Sequence, residues 1–221
     1  MSNRTVVVVG AGPGVSGSVA RRYARAGWDV ALVGLDPEAL TTLGEELQQL
    51  GAQVGWADAD VTDPGALAAA ITRLAEHTGR VDVLHFNPSA FRGKTPLELT
   101  VDELLTDVRL GVGALLTSLQ AVRPFMGEGA RVTATGSAAA DKPDPGAASL
   151  GVQKAGLRNL VRSIDKSLRE DGIRAATVTV NGVLKPKDPA SPFHPENVAA
   201  AIFDAAQQPA DAWRDEVPYD G

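Results

Sequence analysis

No cysteine occurs among the 221 residues, which removes disulfides, thiolate metal sites and cysteine nucleophiles together. Histidine is scarce as well. His77, His85 and His194 stand far apart, so a histidine-rich metal site is not expected. The count still permits a Ser-His-Asp hydrolase, but the G-x-S-x-G nucleophile elbow is missing. Bases are outnumbered by acids, 21 to 27, and the net charge of −6 argues against a generic binder of nucleic acid or anionic membrane. Long apolar runs are missing too. Thr5–Ala20 is uncharged and follows Arg4, as an export signal would, but Gly10, Gly12, Pro13, Gly14 and Gly17 break it. It is also too short to span a bilayer. Read as internal structure, it points to a cytoplasmic protein with no membrane and no nucleic-acid partner.

What is present is an ordinary globular balance, 44% apolar and 22% charged, at a length that suits a single domain over residues 1–221. Strand and helix patterns alternate from the start. Thr5–Val9 is β-branched throughout, as a strand buried on both faces should be. A helix through Val19 and Tyr23 and a strand Asp29–Val33 follow. Asp36-Pro37-Glu38 reads as cap, first turn and helix-dipole partner. The helix after it places Leu40, Leu43, Leu47 and Leu50 on one face. Gln53–Ala57 is a weaker strand, and Asp63-Pro64 opens the next helix in the same way.

Val81–Phe86 predicts a fourth strand. Thr100-Val-Asp-Glu103 is a capping box for one long helix ending near Gly127. Ala130–Thr135, Ile173–Val180 and Glu216–Tyr219 predict three more strands. Helices over about Ala147–Glu170 and Glu196–Gln207 complete the pattern, and proline-rich Lys185–His194 reads as a surface loop. The expected fold is α/β: a doubly wound parallel sheet of about seven strands with helices on both faces.

Gly10-Ala-Gly12-Pro-Gly14-Val15-Ser16-Gly17 lies between the first strand and its helix. There, missing side chains let the backbone approach a pyrophosphate, and the helix start supplies N–H donors. Gly12 to Gly17 fits G-x-G-x-x-G but starts two residues late; Gly10 and Gly14 fit G-x-x-x-G-x-G better, with Ser16 at its third glycine. That pattern, with the element order, resembles the short-chain dehydrogenase/reductase family, which is Rossmann-like. The resemblance covers nearly the whole chain.

It implies an NAD(H)- or NADP(H)-dependent oxidoreductase with a short C-terminal substrate region. Gly10, Gly12, Gly14, Val15 and Ser16 would cradle the cofactor phosphates. Asp36 stands where NAD-preferring relatives hold the adenosine ribose, though it also reads as a helix cap. No arginine follows Val33 to meet a 2′-phosphate, so the lean is to NAD(H). Asp60-Val61 matches the family's adenine contact, or is a turn before a helix. Asn87 is what remains of an N-N-A-G segment, and Gly182 of a Pro-Gly after the sixth strand.

The catalytic pattern is incomplete. Lys154 matches the family lysine, which also holds the nicotinamide ribose, and Ser137 stands 17 residues before it, as in the family. Four residues before Lys154 is Leu150, where the family has its proton-exchanging tyrosine. Tyr23 and Tyr219, the two tyrosines, lie far from the motif, and the family's relay asparagine falls near Arg109.

The expected function is therefore an atypical oxidoreductase acting on a small alcohol or carbonyl, with Ser137 and Lys154 as its catalytic residues and no metal. The alternatives are a non-redox enzyme on the same scaffold (dehydratase, isomerase or cyclase) or a catalytically silent cofactor- or partner-binding protein. The helices from Val101 and Ala147 resemble the pair through which family members associate, which implies a homodimer or homotetramer.

Overall fold

Thr5–Val9 (β1) is buried along its whole length because helices cover both of its faces. A computed structural model describes residues 3–221. β1 is followed by α1 (Val15–Arg25), β2 (Asp29–Gly34), α2 (Pro37–Gln49), β3 (Val54–Asp58), α3 (Pro64–Thr78) and β4 (Val83–Phe86). The chain continues through α4 (Val101–Val108), α5 (Ala114–Val122), β5 (Arg131–Ser137), α6 (Ala148–Leu168), β6 (Arg174–Val180), α7 (Pro195–Ala206) and β7 (Glu216–Tyr219). The seven strands form one parallel sheet in the order β3-β2-β1-β4-β5-β6-β7.

Alternation along β1 sends Val6 and Val8 to one side and Val7 and Val9 to the other. The first pair packs with Val19, Tyr23, Leu40, Leu47 and Ile202 of α1, α2 and α7. The second packs with Leu67, Ile71, Leu115, Leu157 and Val161 of α3, α5 and α6. Strand order reverses between β1 and β4, so the chain leaves these two strands toward helices on opposite faces of the sheet, which opens a crevice at its carboxyl edge.

Most helix starts carry their own caps. Asp36 accepts from the N–H groups of Glu38 and Ala39, and Asp63 from those of Gly65 and Ala66. Thr100 and Glu103 form the reciprocal box, and His194 Nδ1 accepts from Glu196 N–H. Gly14 before α1 and Ala147 before α6 supply no side-chain cap.

Several expectations shift. The long helix from Thr100 is broken: a π-helical turn over Arg109–Gly113 separates α4 from α5, and a 3-10 turn, Arg123–Phe125, ends it. Leu50 caps α2 and is 40% exposed instead of facing the core, since the helix has already ended at Gln49. Val81 stays outside the fourth strand because its N–H is taken by the Phe125 carbonyl. β3 begins one residue later than expected and β5 runs two residues further, which brings Ser137 into register with Val180. The segment over Lys185–His194 is exposed as far as Ala190, but Ser191 turns inward. Phe193 then packs on Gly182 and edge-on to Tyr219, 5.8 Å away.

The far edge of the sheet is tied to α6. Arg158 bonds both Asp141 and Glu216, and Arg162 bonds Glu216 at 2.7 Å. Thr179 Oγ1 donates to the same Glu216 carboxylate at 2.7 Å.

Candidate active site

At the carboxyl edge lie Ser137, the last residue of β5, and the turns after β1, β4 and β6, which carry Gly10–Ser16, Asn87 and Gly182. Gly10 has φ +77°, a conformation that L side chains avoid, and a Cβ on it would stand 2.9 Å from the Pro88 ring. The starts of the turns after β1 and β4 therefore pack directly on each other. At Gly17 a Cβ would lie 2.5 Å from the Gly12 carbonyl oxygen, so this glycine lets α1 start tight against the loop. Gly12 and Gly14 face open space.

Val15 and Ser16 are buried in the first turn of α1, and Ser16 Oγ donates to the Gly12 carbonyl at 3.4 Å. With no side-chain cap and no acid in that first turn, its N–H donors and positive dipole end face the opening. This is the donor set a pyrophosphate requires.

At the end of β2, Asp36 is exposed and both of its capping bonds fall on Oδ1. It is thus a helix cap, with Oδ2 free of hydrogen bonds among the described residues. Asp60 accepts from the Thr62 N–H at 2.8 Å and the Thr62 hydroxyl at 2.7 Å. These bonds hold its carboxyl below the usual range and show the turn-forming role directly. Val61 is half-buried against the core.

Lys154 is the chemically unusual residue. It sits on α6 and is only 6% exposed. Its Nζ donates to the Thr135 carbonyl at 2.9 Å, and no carboxylate pairs with it among the described residues. Burial lowers its pKa to about 8. An ammonium has three donors, so a single carbonyl leaves two for a ligand.

The Thr135 hydroxyl donates to Asn87 Oδ1 at 2.7 Å, and the Asn87 N–H is held by the Val9 carbonyl at 3.0 Å. Ser137 accepts from the Ala139 N–H at 3.2 Å, which leaves its own hydroxyl proton to donate. Arg109 lies exposed in the π turn. Tyr23 is sealed in the core on the opposite face, where burial raises its pKa; it takes no part here.

No sequence motif marks the Thr135 carbonyl as the lysine's acceptor, nor Gln153 as a partner of Ala90. Pro88 did leave a signal, standing next to Asn87 in the segment that aligns with the family's N-N-A-G.

A doubly wound parallel sheet with a glycine turn and an uncapped helix at its switch point defines a Rossmann-type α/β protein. Within that class, residues 4–187 match the short chain dehydrogenase family, and the chain belongs to it. Oxidoreductase UcpA of Escherichia coli is 27% identical over 212 residues, covering 94% of this chain and 80% of the relative. Sulfoacetaldehyde reductase 2 of Chromohalobacter salexigens is 30% identical over 225 residues, covering 93% and 89%. Among solved structures, a short chain dehydrogenase from Burkholderia cenocepacia in complex with NADP superposes with a TM-score of 0.90 at 25% identity, covering 99% and 96%.

Proposed function

We propose that residues 1–221 form one dinucleotide-binding unit that interconverts a small alcohol and its carbonyl with a nicotinamide cofactor. The observation that carries this is the open N-terminus of α1 at the switch point, facing the same crevice edge as a buried, unpaired lysine. The residues fit such a cofactor: main chain over Gly10–Ser16 for the phosphates, Asp36 for the adenosine ribose, Asp60 and Val61 beside the adenine. Asn87, Lys154 and the Gly182 turn complete the nicotinamide end. When bound, the nicotinamide supplies or accepts the hydride.

Lys154 does two things in this reading. Its free N–H donors hold ribose hydroxyls, and its ammonium, with a pKa near 8, is the net proton source in the reduction direction. Ser137 donates to the substrate oxygen and fixes its position. Leu150, one turn before Lys154, has no proton to exchange. Asp36 and the lack of an arginine after Val33 favour NAD(H), while the similar Burkholderia structure holds NADP.

Calorimetric titration with NAD⁺, NADH, NADP⁺ and NADPH tests the reading. Saturable micromolar binding of one pair supports it and settles the cofactor. Binding of none overturns it. The leucine at position 150 favours a second reading, non-redox chemistry on the same scaffold, and that outcome would direct the search there.

We also propose self-association into a homodimer or homotetramer. An apolar groove of 770 Å³ runs between α4 and α6, lined by Leu99, Val101, Leu104, Ala148, Val152 and Ala155. Val101 and Leu105 are 71% and 54% exposed beside it. Light scattering should give at least twice the chain mass, and Val152→Glu should return the monomer.

A further inference from the structure

We infer that Gln153 is a positioning residue, a carboxamide clamp that sets where the nicotinamide side of the crevice stands; this rests on the cofactor reading above. Gln153 has no solvent exposure. Its Oε1 accepts from the Ala90 N–H at 3.2 Å, and its Nε2 donates to the Ala90 carbonyl at 3.1 Å and the Ser149 carbonyl at 3.4 Å. A carboxamide carries donor and acceptor together, so it pairs with the main chain of a residue at two points and fixes both distance and rotation.

The neighbouring residue on α6 is Lys154, which reaches the Thr135 carbonyl at the end of β5. Thr135 in turn holds Asn87, three residues before Ala90. A closed ring results: Asn87, Thr135, Lys154, Gln153, Ala90, and back through Ser89 and Pro88. Two consecutive helix residues thereby set the spacing of the β4 and β5 turns.

Space for the clamp is reserved from behind. Gly111 lies in the π-helical turn, and a Cβ there would stand 2.6 Å from Gln153 Oε1 and 3.1 Å from its Cγ. The extra residue of a π turn shifts the helix locally, a device common at functional sites. Further along, Arg92 makes two bonds of 2.9 Å to the Asp107 carboxylate, and the Lys94 carbonyl accepts from Ala148 N–H at 3.2 Å. The segment after β4 is thus anchored again beyond the clamp, so loss of Gln153 frees Pro88–Phe91 and leaves the rest in place.

The test is Gln153→Met, which fills similar volume without bonding, with Gly111→Ala as a second variant that pushes on the clamp and leaves Gln153 present. Three quantities are read: exchange of the Ala90 amide in the protein without nucleotide, the dissociation constant of the preferred nicotinamide dinucleotide, and that of ADP. In Gln153→Met the Ala90 amide should exchange about tenfold faster, as loss of one such bond allows. The dinucleotide should weaken by a similar factor while ADP, held by β1–β3, is unchanged. Gly111→Ala should give the same selectivity with a smaller shift.

Unchanged Ala90 exchange in both variants overturns the proposal. So does equal weakening of ADP and dinucleotide, which marks a general structural defect. If the wild-type protein binds no dinucleotide, the cofactor reading fails and this role fails with it, whereas Ala90 exchange still judges the clamp itself.

Discussion

Two kinds of helix start surround this sheet. α2 and α3 begin on aspartates that take up their first N–H groups, whereas α1 and α6 begin on Gly14 and Ala147 with no side-chain cap. The capped pair closes its own hydrogen bonds and needs nothing further. α1 opens beside the glycine turn, and α6 begins beside the turn after β5, two turns before Lys154. The same backbone problem, unpaired N–H groups in the first turn, is solved by local side chains in α2 and α3, by the Lys94 carbonyl at Ala148 in α6, and left open beside the glycine turn in α1. In the proposed reading, stability and function are thus assigned to different helices, and substitutions can separate them.

The largest effect should come from giving α1 the cap it lacks. Gly14→Asp has room for its side chain, since nothing stands within 4 Å of the added Cβ. The carboxylate should occupy the phosphate donors and cost about a hundredfold or more in nucleotide affinity. The melting temperature should nevertheless rise slightly, by the equivalent of about 0.3 kcal/mol. Unchanged nucleotide affinity would show that the open start is not a phosphate site.

Next comes Lys154→Met, which removes a lone buried cation. It should abolish turnover while stabilising the protein at pH 7 by about 2 kcal/mol in urea unfolding. The sign follows from linkage. The lysine titrates near 8 in the folded state and near 10.5 when unfolded, so the unfolded chain holds more protons between these values. The penalty is complete below pH 8 and fades as pH rises to 10.5. The gap between wild type and variant should therefore close over that window; a constant gap would mean that lost packing, not charge burial, sets the difference.

The smallest effect is the mirror image of the first. Asp63→Ala should cost about 1 kcal/mol of stability by removing the α3 cap. It should leave nucleotide affinity alone.

One further substitution bears on chemistry. Leu150→Tyr restores the family's proton donor one turn from Lys154 and should raise any measured turnover in steady-state assays. No change would place the proton source elsewhere, in keeping with Lys154.

What could be read from the sequence was local. A run of four valines announces a strand buried on both faces, and Asp-Pro pairs announce capped helices within two residues of their starts. The glycine turn is legible because its chemistry lies in consecutive residues. The π turn was hidden because Leu104, Val108, Val112, Leu115, Leu119 and Val122 keep a helical apolar spacing through it. Gly111 was the trace it left, yet its purpose depends on Gln153, distant in sequence. The lysine's partner was equally hidden, being a backbone carbonyl that any residue at position 135 would supply. Periodicity reports which face is buried; it does not report which main-chain groups two separate elements bring together.

Glu216 gives the last strand a mechanical role. It gathers Arg158, Arg162 and Thr179, and Arg158 also grips Asp141 in the turn after β5. Peeling β7 from the sheet edge would free two arginines of α6, the helix that carries Lys154 and Gln153. Trimming the chain after Asp215, or fusing a bulky partner there, would therefore reach the crevice through that helix, and a purification tag belongs at the other terminus.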